Sequence, residues 1–324
     1  MPRVRTVACL GGVSLERDVP EEQIREYVHT AEHVTWVDVE DPGEREIEML
    51  LEQFGFHPLA LEEAAKGNQR PKIAEYKGYI LVITYCVVSV TGTSELQASE
   101  VDIFIGRNYA VTIHRDPLPA LEEGYRRWTR GGAMLREGVG FLVFTIVDSV
   151  IDTYFPVLDR LEDALDETEL NIFNQREEDS VQDLLATKRH LATIRRVLSP
   201  LRETFSVLLR RDHPILTQNT TLHFQHVYDN ILRILDAVDV QRDLVTSSLD
   251  AQMTVVSNRL NRTMKTLTTI TVVVAAGGLV FGAWGMNFSR VPFSNEPWGF
   301  SAVVGGTIAL IGIVLVVSRK RRWL

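Results

Sequence analysis

The sequence predicts an α/β cytosolic domain at the N-terminus, followed by a long α-helical stalk and two transmembrane helices. Three observations predict this order. Short segments rich in β-branched and aromatic residues lie in the first third of the chain, as strands require. Neither proline nor glycine occurs between Pro214 and Gly277, which is typical of one uninterrupted helix. Two strongly apolar runs follow, each close to the length that spans a bilayer.

Composition restricts the partners and the compartment. The formal net charge is −9, and without the four basic residues Arg319 to Arg322 it is −13, which favours cations and argues against nucleic acid. The two cysteines, Cys9 and Cys86, show no metal-ligand spacing and imply no disulfide. The first ten residues lack a secretory signal, so we expect the apolar runs to drive membrane insertion.

The first 213 residues are predicted to form the cytosolic part. An α/β domain is expected over residues 1–135, and a helical hairpin over residues 136–213. An amphipathic helix should run from Glu44 to Phe54 and end at Gly55. Strands are predicted at residues 34–39, 79–85, 102–106 and 109–113, the last two forming a hairpin across Arg107-Asn108.

The hairpin of helices comes from two long helical patterns. They cover Phe141 to Phe173 and Asp179 to Leu209, and they join near Asn171 to Asn174. Pro200 lies inside the second pattern. Proline lacks an amide hydrogen and clashes with the preceding turn, so we expect it to kink or interrupt that helix.

The two apolar runs are predicted as membrane spans over residues 267–287 and 298–318. The second carries no charge. The first is shorter, and by itself it could also be a core helix, but its threonines and glycines suit a helix that lines a pore or packs closely. Basic residues precede the first span and form the tail, residues 319–324, whereas the loop over 288–297 holds only Arg290 and Glu296 as charges. We therefore expect a multi-pass plasma-membrane protein with both termini in the cytoplasm.

The stalk, residues 214–266, carries polar residues at seven-residue intervals. A period of 3.5 residues per turn keeps such positions on one face of a supercoiled helix. The acidic part of this stripe is equally consistent with a solvated face. The part that enters the first span favours a pore, together with Asn258, Asn261 and Thr268. One two-span subunit cannot enclose a pore, so several copies are needed. The stripe comprises Asp229, Asp236, Asp243, Asp250, Ser257, Met264, Thr271, Gly278 and Gly285.

Several motifs together resemble the CorA family of divalent-cation channels. Gly285-Met286-Asn287 stands at the mouth of the first span, and the whole segment from Ser257 to Phe288 is similar to the family's stalk-to-pore region. Trp36 to Tyr85, Arg107 to Pro117 and the basic-Trp-Leu tail also resemble the family. Glycine and asparagine commonly end helices, so the tripeptide is compatible with a simple helix cap as well.

The resemblance implies a funnel-shaped homopentamer in membrane lipid that takes up Mg2+ passively and also carries Co2+ and Ni2+. It places Gly285, Met286 and Asn287 in a selectivity filter and Glu296 in the external loop. Leu267 would belong to a hydrophobic constriction, and Asp250 to an acidic ring at the inner mouth. The pore-lining set implied by the stripe and the resemblance is Asp250, Ser257, Asn261, Met264, Leu267, Thr271, Ala275 and Gly278.

This chain departs from the family pattern in three places. Ala275 stands where the family often has a bulky methionine, so the gate is expected to be wider or elsewhere. Trp284 replaces a common tyrosine. His226 stands where the stalk is expected to supply an acid to a regulatory Mg2+ site. The expected ligands of that site are Asp229, Asp236, Asp243, Asp250 and His226.

The filter chemistry agrees with a hydrated ion. Mg2+ requires octahedral oxygen ligands and loses its water reluctantly, so a fast pathway should accept it with most of its waters. A ring of Asn287 amides can accept hydrogen bonds from those waters without the tight binding of a carboxylate ring.

Two other functions remain open. The chain could be a zinc transporter of the same superfamily, or a membrane-anchored sensor or scaffold without ion flux. Catalysis is not expected, because no phosphate-binding loop or nucleophile motif is present. His223-x-x-His226 could ligate a metal from one helix face, but such pairs are more often surface or interface residues, and His114-Arg115-Asp116 looks catalytic only in isolation.

Overall fold

The computed structural model describes residues 3–89, 96–173, 177–210, 218–286 and 297–320. It divides into two compact units, Met1–Ser247 and Ser248–Leu324. The expected domain boundary near residue 135 falls inside the first unit. The boundary expected between residues 213 and 214 lies outside the described residues, as does Pro214.

The first unit contains one seven-stranded sheet with helices against it. The strands are β1 (Arg3–Leu10), β2 (Ser14–Arg17), β3 (His33–Glu40), β4 (Lys72–Tyr76), β5 (Tyr79–Ser89), β6 (Leu96–Ile105) and β7 (Tyr109–His114). The helices of this unit are α1 (Glu21–His29), α2 (Glu44–Phe54), α3 (Pro58–Lys66), α4 (Pro119–Thr129), α5 (Val139–Asp152), α6 (Phe155–Phe173) and α7 (Glu177–Arg210). The long helix α8 (Gln218–Trp284) begins in this unit and ends in the second, which also holds α9 (Gly299–Lys320).

The sheet is mixed, in the order β2-β1-β3-β7-β6-β5-β4. Its neighbours pair antiparallel except β3 with β7, which pair in parallel with Trp36 opposite Ala110. The four predicted strands are all present. The predicted hairpin joins β6 to β7, and the Gly106 amide donates to the Tyr109 carbonyl at 2.9 Å. Only glycine fits at Gly106, because an added Cβ would lie 2.1 Å from the Tyr109 ring.

Both faces of the sheet are covered. On one face, Val37 and Leu81 pack with Leu50 of α2 and Leu61 of α3 in the main apolar cluster. On the other, Trp36 meets Trp128 of α4 edge-to-face, with ring centroids 6.3 Å apart. Nearly all of α5 is buried behind this second face. Successive side chains of each strand point to opposite faces, and apolar residues occur in both sets. The sheet therefore has two apolar surfaces, and helices cover each of them.

The predicted helix from Glu44 to Phe54 is confirmed with the same bounds as α2. Its start is held by the Glu46 side chain, whose Oε2 accepts the Gly43 amide hydrogen at 2.9 Å. Its end is set by Gly55, which adopts a left-handed φ of 66° that glycine tolerates without steric cost.

The helical pattern predicted from Phe141 to Phe173 is not one helix. It breaks at Thr153 and Tyr154, between α5 and α6. The reason is attachment to β5: the Val87 amide donates to Thr153 Oγ1 at 3.2 Å, and the buried Tyr154 hydroxyl donates to the Tyr85 carbonyl at 2.7 Å.

The predicted interruption at Pro200 is also wrong, because α7 continues through it to Arg210. Leu198 and Leu201, on either side of Pro200, are fully buried. Their packing stabilises the helical path and offsets the hydrogen bond that proline cannot make.

The second unit contains the end of α8 and all of α9. The stalk and the first predicted span form one continuous helix, as expected, because α8 runs uninterrupted from Gln218 to Trp284. The predicted second span corresponds to α9.

Candidate ion pathway along the long helix

The seven-residue stripe predicted on α8 lies on a single uncovered face. Every member from Asp229 to Gly285 is exposed in the protomer. The buried positions of the same helix run along another face and include Val227, Ile231, Ile234, Val238 and Val245. The acid-to-polar-to-small sequence of the stripe is therefore left uncovered by the chain itself.

The carboxylates of the stripe differ from a neighbouring acid on the same helix. Asp239 pairs with Arg195 at 2.5 Å and with Arg242 at 3.3 Å. Among the described residues, none of Asp229, Asp236, Asp243 and Asp250 has a cationic partner within ion-pair distance. Asp239 is thus a structural residue of the protomer, and the stripe acids keep their charge unneutralised.

The regulatory metal ligands expected from sequence do not come together in one chain. No group of three or more His, Cys, Asp or Glu side chains able to hold a metal occurs among the described residues. Members seven residues apart are separated by about 10.5 Å of helix rise, too far to share an ion. His226 lies 3.3 Å from the Asn230 amide nitrogen instead. Such a site would require ligands from another copy of the chain.

The second unit is apolar and almost uncovered. The candidate spans in Thr220–Ala283 and Gly299–Lys320 each have only 6% of their most apolar window buried. Each helix has one narrow stripe of buried and half-buried residues at three-to-four-residue spacing, which we call the shaded stripe. It contains Thr269 and Gly277 on α8 and Thr307 and Ser318 on α9. The matching stripes indicate that the two helices lie side by side, with the remaining surface left for lipid or other copies.

The predicted pore-lining residues share the face of α8 away from that shaded stripe. They follow one another at intervals of three or four residues, which places them on one side of a helix. All are exposed, and Leu267 keeps 59% of its surface. These residues are Asn261, Met264, Leu267, Thr271, Ala275 and Gly278, and the other two predicted pore-lining residues, Asp250 and Ser257, are also exposed.

The threonine hydroxyls on this helix donate to its own backbone. Thr271 Oγ1 donates to the Leu267 carbonyl at 2.9 Å, and Thr268 Oγ1 to the Met264 carbonyl at 2.8 Å. Each hydroxyl hydrogen is therefore occupied, and the oxygen retains lone pairs that can only accept. An exposed acceptor suits the outward-pointing hydrogens of a hydrated cation.

The outer end of the stripe is described as far as Met286. The Gly285 amide donates to the Phe281 carbonyl at 2.9 Å, so the last helical turn continues to this glycine. Gly285 does not adopt a positive φ, so it does not form the left-handed cap that often ends a helix. A side chain at this position would be crowded, since its Cβ would lie 3.2 Å from the Phe281 carbonyl oxygen. Asn287 and Glu296 lie outside the described residues.

The two histidine motifs set aside in the sequence have structural partners. His114 Nε2 lies 3.2 Å from Asp38 Oδ1, which also accepts from Thr112. Burial alone would raise the pKa of Asp38, but the hydrogen bonds and charges of His114, Thr112 and Arg5 lower it. Burial likewise opposes the charged His114, yet Asp38 raises its pKa. In the other motif, the His223 ring stacks on the ring of Phe144 in α5, with centroids 4.6 Å apart.

Sequence reasoning missed a pair of carboxyls within the sheet. Asp102 on β6 is 1% exposed, and burial followed by the nearby charge of Glu100 raises its pKa to about 8. The apolar residues Ile103, Phe104 and Ile105 predicted the strand over residues 102–106 but gave no sign of the acid's environment. The charge partner Asp239 was also missed, because it falls between positions of the acidic stripe.

The comparisons with known proteins agree with this architecture. Residues 31–320 match the family described as CorA-like Mg2+ transporter protein. The chain is 30% identical over 288 residues to YfjQ of Bacillus subtilis, covering 89% of each protein. It is 29% identical over 294 residues to the cobalt/magnesium transport protein CorA of Thermotoga maritima, covering 90% of this chain and 83% of that protein.

Two further matches bear on the fold and on the ion. The solved CorA magnesium transporter of Methanocaldococcus jannaschii superposes with a TM-score of 0.85 over 98% of both chains at 24% identity, which establishes the fold. The zinc transport protein ZntB of Enterobacter sp. is 23% identical over 270 residues, covering 82% of this chain and 81% of that protein. With the family match spanning most of its length and two largely exposed apolar helices able to cross a bilayer, this chain belongs to the CorA family of divalent-cation transporters.

Proposed function

We propose that the chain is one subunit of a passive channel that admits Mg2+, and also Co2+ and Ni2+, across the plasma membrane. The observation that carries this proposal is the uncovered stripe of α8, which changes from acidic to polar to small along one face and leads to Gly285 and Met286. A helix face of this kind, left bare beside a second apolar helix, is suited to a water-filled axis between copies.

Each part of the stripe has a physical role in this proposal. The unneutralised acids from Asp229 to Asp250 raise the local concentration of cations at the inner end. The acceptor oxygen of Thr271 can contact the ion's waters within the membrane. The exposed Leu267 forms an apolar ring that can close by dewetting. The neutral Asn287 amides hold the hydrated ion at the outer end without trapping it.

The assembly that fits this proposal is a homopentamer with both termini in the cytoplasm. A single chain leaves the polar stripe bare in an apolar surface, and closed symmetry covers it without exposing new edges. Native mass spectrometry in mild detergent should give a mass of five subunits. A monomer or dimer under conditions that preserve transport would contradict the pore.

A flux assay tests the function directly. Purified protein in liposomes that contain a Mg2+-sensitive dye should take up Mg2+ down its gradient without ATP. Asn287→Ala should reduce that uptake by about tenfold or more, because the docking amide for the hydrated ion is lost. Asn295→Ala removes the other asparagine between the two spans in the sequence and should retain wild-type uptake. Equal uptake by both variants and wild type would refute the filter.

The same liposomes decide between the remaining functions. Preference for Zn2+ over Mg2+ in matched gradients would favour the zinc alternative, to which the similarity with ZntB gives some support. The unbroken Gly285-Met286-Asn287 motif favours Mg2+. An assembled protein that carries no divalent ion would support a sensor or scaffold instead.

Mg2+ is also proposed as a regulatory ligand between copies. Because the stripe acids have no ion-pair partner in the described part of the chain, converging copies bring like charges together, and a bound divalent ion would relieve that repulsion. His226 supplies no fixed negative charge, so we expect weaker binding than a site with an acid there.

A further inference from the structure

A cavity of about 1080 Å3 opens in the first unit. It lies between the loop that follows α3 and the neighbouring parts of α7 and α8. We call it the basic cavity, because all the charged residues in its lining are cationic. The lining side chains used below are Gln69, Arg70, Lys188, Arg195, Arg196 and Arg242.

The cavity carries a positive charge that the protomer does not neutralise. Arg195 and Arg242 share the carboxylate of Asp239, at 2.5 Å and 3.3 Å. In the described part of the chain, Arg70, Lys188 and Arg196 have no carboxylate within ion-pair distance. Like charges gathered in a concave surface repel one another, which costs stability unless an anion enters. Such a cluster is unexpected in a chain of net charge −9.

The loop that follows α3 is fixed where it borders the cavity. The Gln69 backbone is held firmly, since its amide donates to Glu100 Oε2 at 2.8 Å and its carbonyl accepts from the Tyr85 hydroxyl.

The chemistry of these groups defines the ligand. Guanidinium groups present planar donor pairs that match phosphate oxygens, and four of the five cations here are arginines. The volume is at the upper end of the range for small-molecule sites. The aromatic side chain in the lining, Tyr85, is buried and its hydroxyl is occupied, so no ring is offered for stacking on a base.

We propose that the basic cavity binds a phosphate compound with several charges, recognised through its phosphates. Arg70, Lys188 and Arg196 contact the anion, while Asp239 orients Arg195 and Arg242. The site lies in the unit that carries the sheet and shares no residue with the predicted pore-lining set. Its ligand would come from the same compartment as that unit.

The experiment is isothermal titration calorimetry on the full-length protein in detergent, at low ionic strength with EDTA. Tripolyphosphate, ATP and orthophosphate are titrated separately. Tripolyphosphate should bind, and orthophosphate should bind at least tenfold more weakly because it contacts fewer cations. Equal affinities of tripolyphosphate and ATP would show recognition of phosphates alone. A markedly tighter ATP would assign a nucleotide as the ligand.

A matched pair of variants separates this site from general surface attraction. Arg70→Gln with Arg196→Gln removes two charges from the cavity and should weaken tripolyphosphate on the order of tenfold or more. Arg189→Gln with Arg202→Gln removes two exposed charges from α7 outside the cavity and should leave affinity within about twofold. The single variant Lys188→Gln serves if the first pair does not fold.

A second measurement is the thermal midpoint, which tripolyphosphate should raise in wild type and not in the cavity variant. Equal weakening by both pairs, or the absence of heat at 1 mM tripolyphosphate, would overturn the proposal. Neither result depends on transport, so the channel function and this site fail or stand separately.

Discussion

Three apolar helical segments of this protein fall into two groups with opposite surroundings. The segment Val139–Ile172, which begins with α5, is long and apolar enough to cross a membrane, but 78% of its most apolar window is buried within the first unit. The corresponding windows of α8 and α9 are only 6% buried. Composition alone gives all three the same interpretation, and the cover supplied by the sheet and α4 distinguishes them.

The difference follows from what each helix can be paired with. α5 packs against a sheet face that presents Trp36 and other apolar side chains, and α4 packs against both, with Trp128 on Trp36 and Gly124 close to Ser149 of α5. In the second unit, each described helix has only the other to cover it. An apolar helix without a protein partner must be covered by lipid or by further copies.

The largest predicted effect comes from placing a charge in each kind of helix. Ile146→Asp puts a carboxylate at a fully buried position of α5 and should cost about 3–5 kcal/mol or more of folding free energy, because the charge has no partner. Ile308→Asp, at a position of α9 that is 64% exposed, should leave unfolding of the first unit unchanged. Thermal unfolding by circular dichroism in detergent reads this difference.

Retention in the membrane should show the opposite sensitivity, with the larger effect at the exposed helix. Ile308→Asp should reduce the fraction of protein retained in alkali-washed membranes, since a charge within a span is disfavoured by about 3 kcal/mol. Ile146→Val and Ile308→Val are matched mild controls. Equal loss of folding by both aspartate variants would contradict the contrast between covered and bare helices.

A smaller effect on stability is expected from neutralising a buried acid of the sheet, compared with an exposed acid of the α8 stripe. Because burial raises the pKa of Asp102 to about 8, the folded protein holds a proton that the unfolded chain releases near pH 4. The stability contribution is therefore lost as pH rises from about 4 to 8. Asp102→Asn cannot ionise and should be more stable than wild type at pH 8, by on the order of 2 kcal/mol, and less so at pH 5.5.

Asp236→Asn is the control, because this exposed stripe acid has no ion-pair partner among the residues that the structure describes. Its midpoint of unfolding should follow wild type at both pH values. Parallel pH profiles for wild type and Asp102→Asn would show that the buried carboxyl is not protonated in the fold.

Much of the fold followed from local sequence signals, and the omissions have physical causes. The bounds of α2 were predictable because an apolar stripe ends at Gly55, whose left-handed conformation stops the helix. β4 was missed because Lys72 to Tyr76 is half-buried at the sheet edge and lacks clear alternation. The break at Thr153 and the continuity through Pro200 both depend on tertiary contacts that no local pattern contains.

The candidate site shows the same division. The seven-residue spacing predicted which residues of α8 share a face, and the structure leaves that face uncovered. The partner of Asp239, the environment of Asp102 and the basic cavity arise from residues distant in sequence. Regular spacing along one helix can be read directly, whereas pairing between elements requires the fold.

The most direct test of the account compares two threonines two residues apart. Thr271 lies on the exposed stripe, and Thr269 is 4% exposed on the shaded side of the same helix. The native Cys9 and Cys86 are buried, and burial raises the pKa of Cys86 to about 12, so neither should react. A charged methanethiosulfonate reagent should therefore inhibit Mg2+ flux through Thr271→Cys and leave Thr269→Cys and wild type unchanged. Inhibition of Thr269→Cys with no effect on Thr271→Cys would contradict the claim that the uncovered stripe of α8 lines the ion pathway.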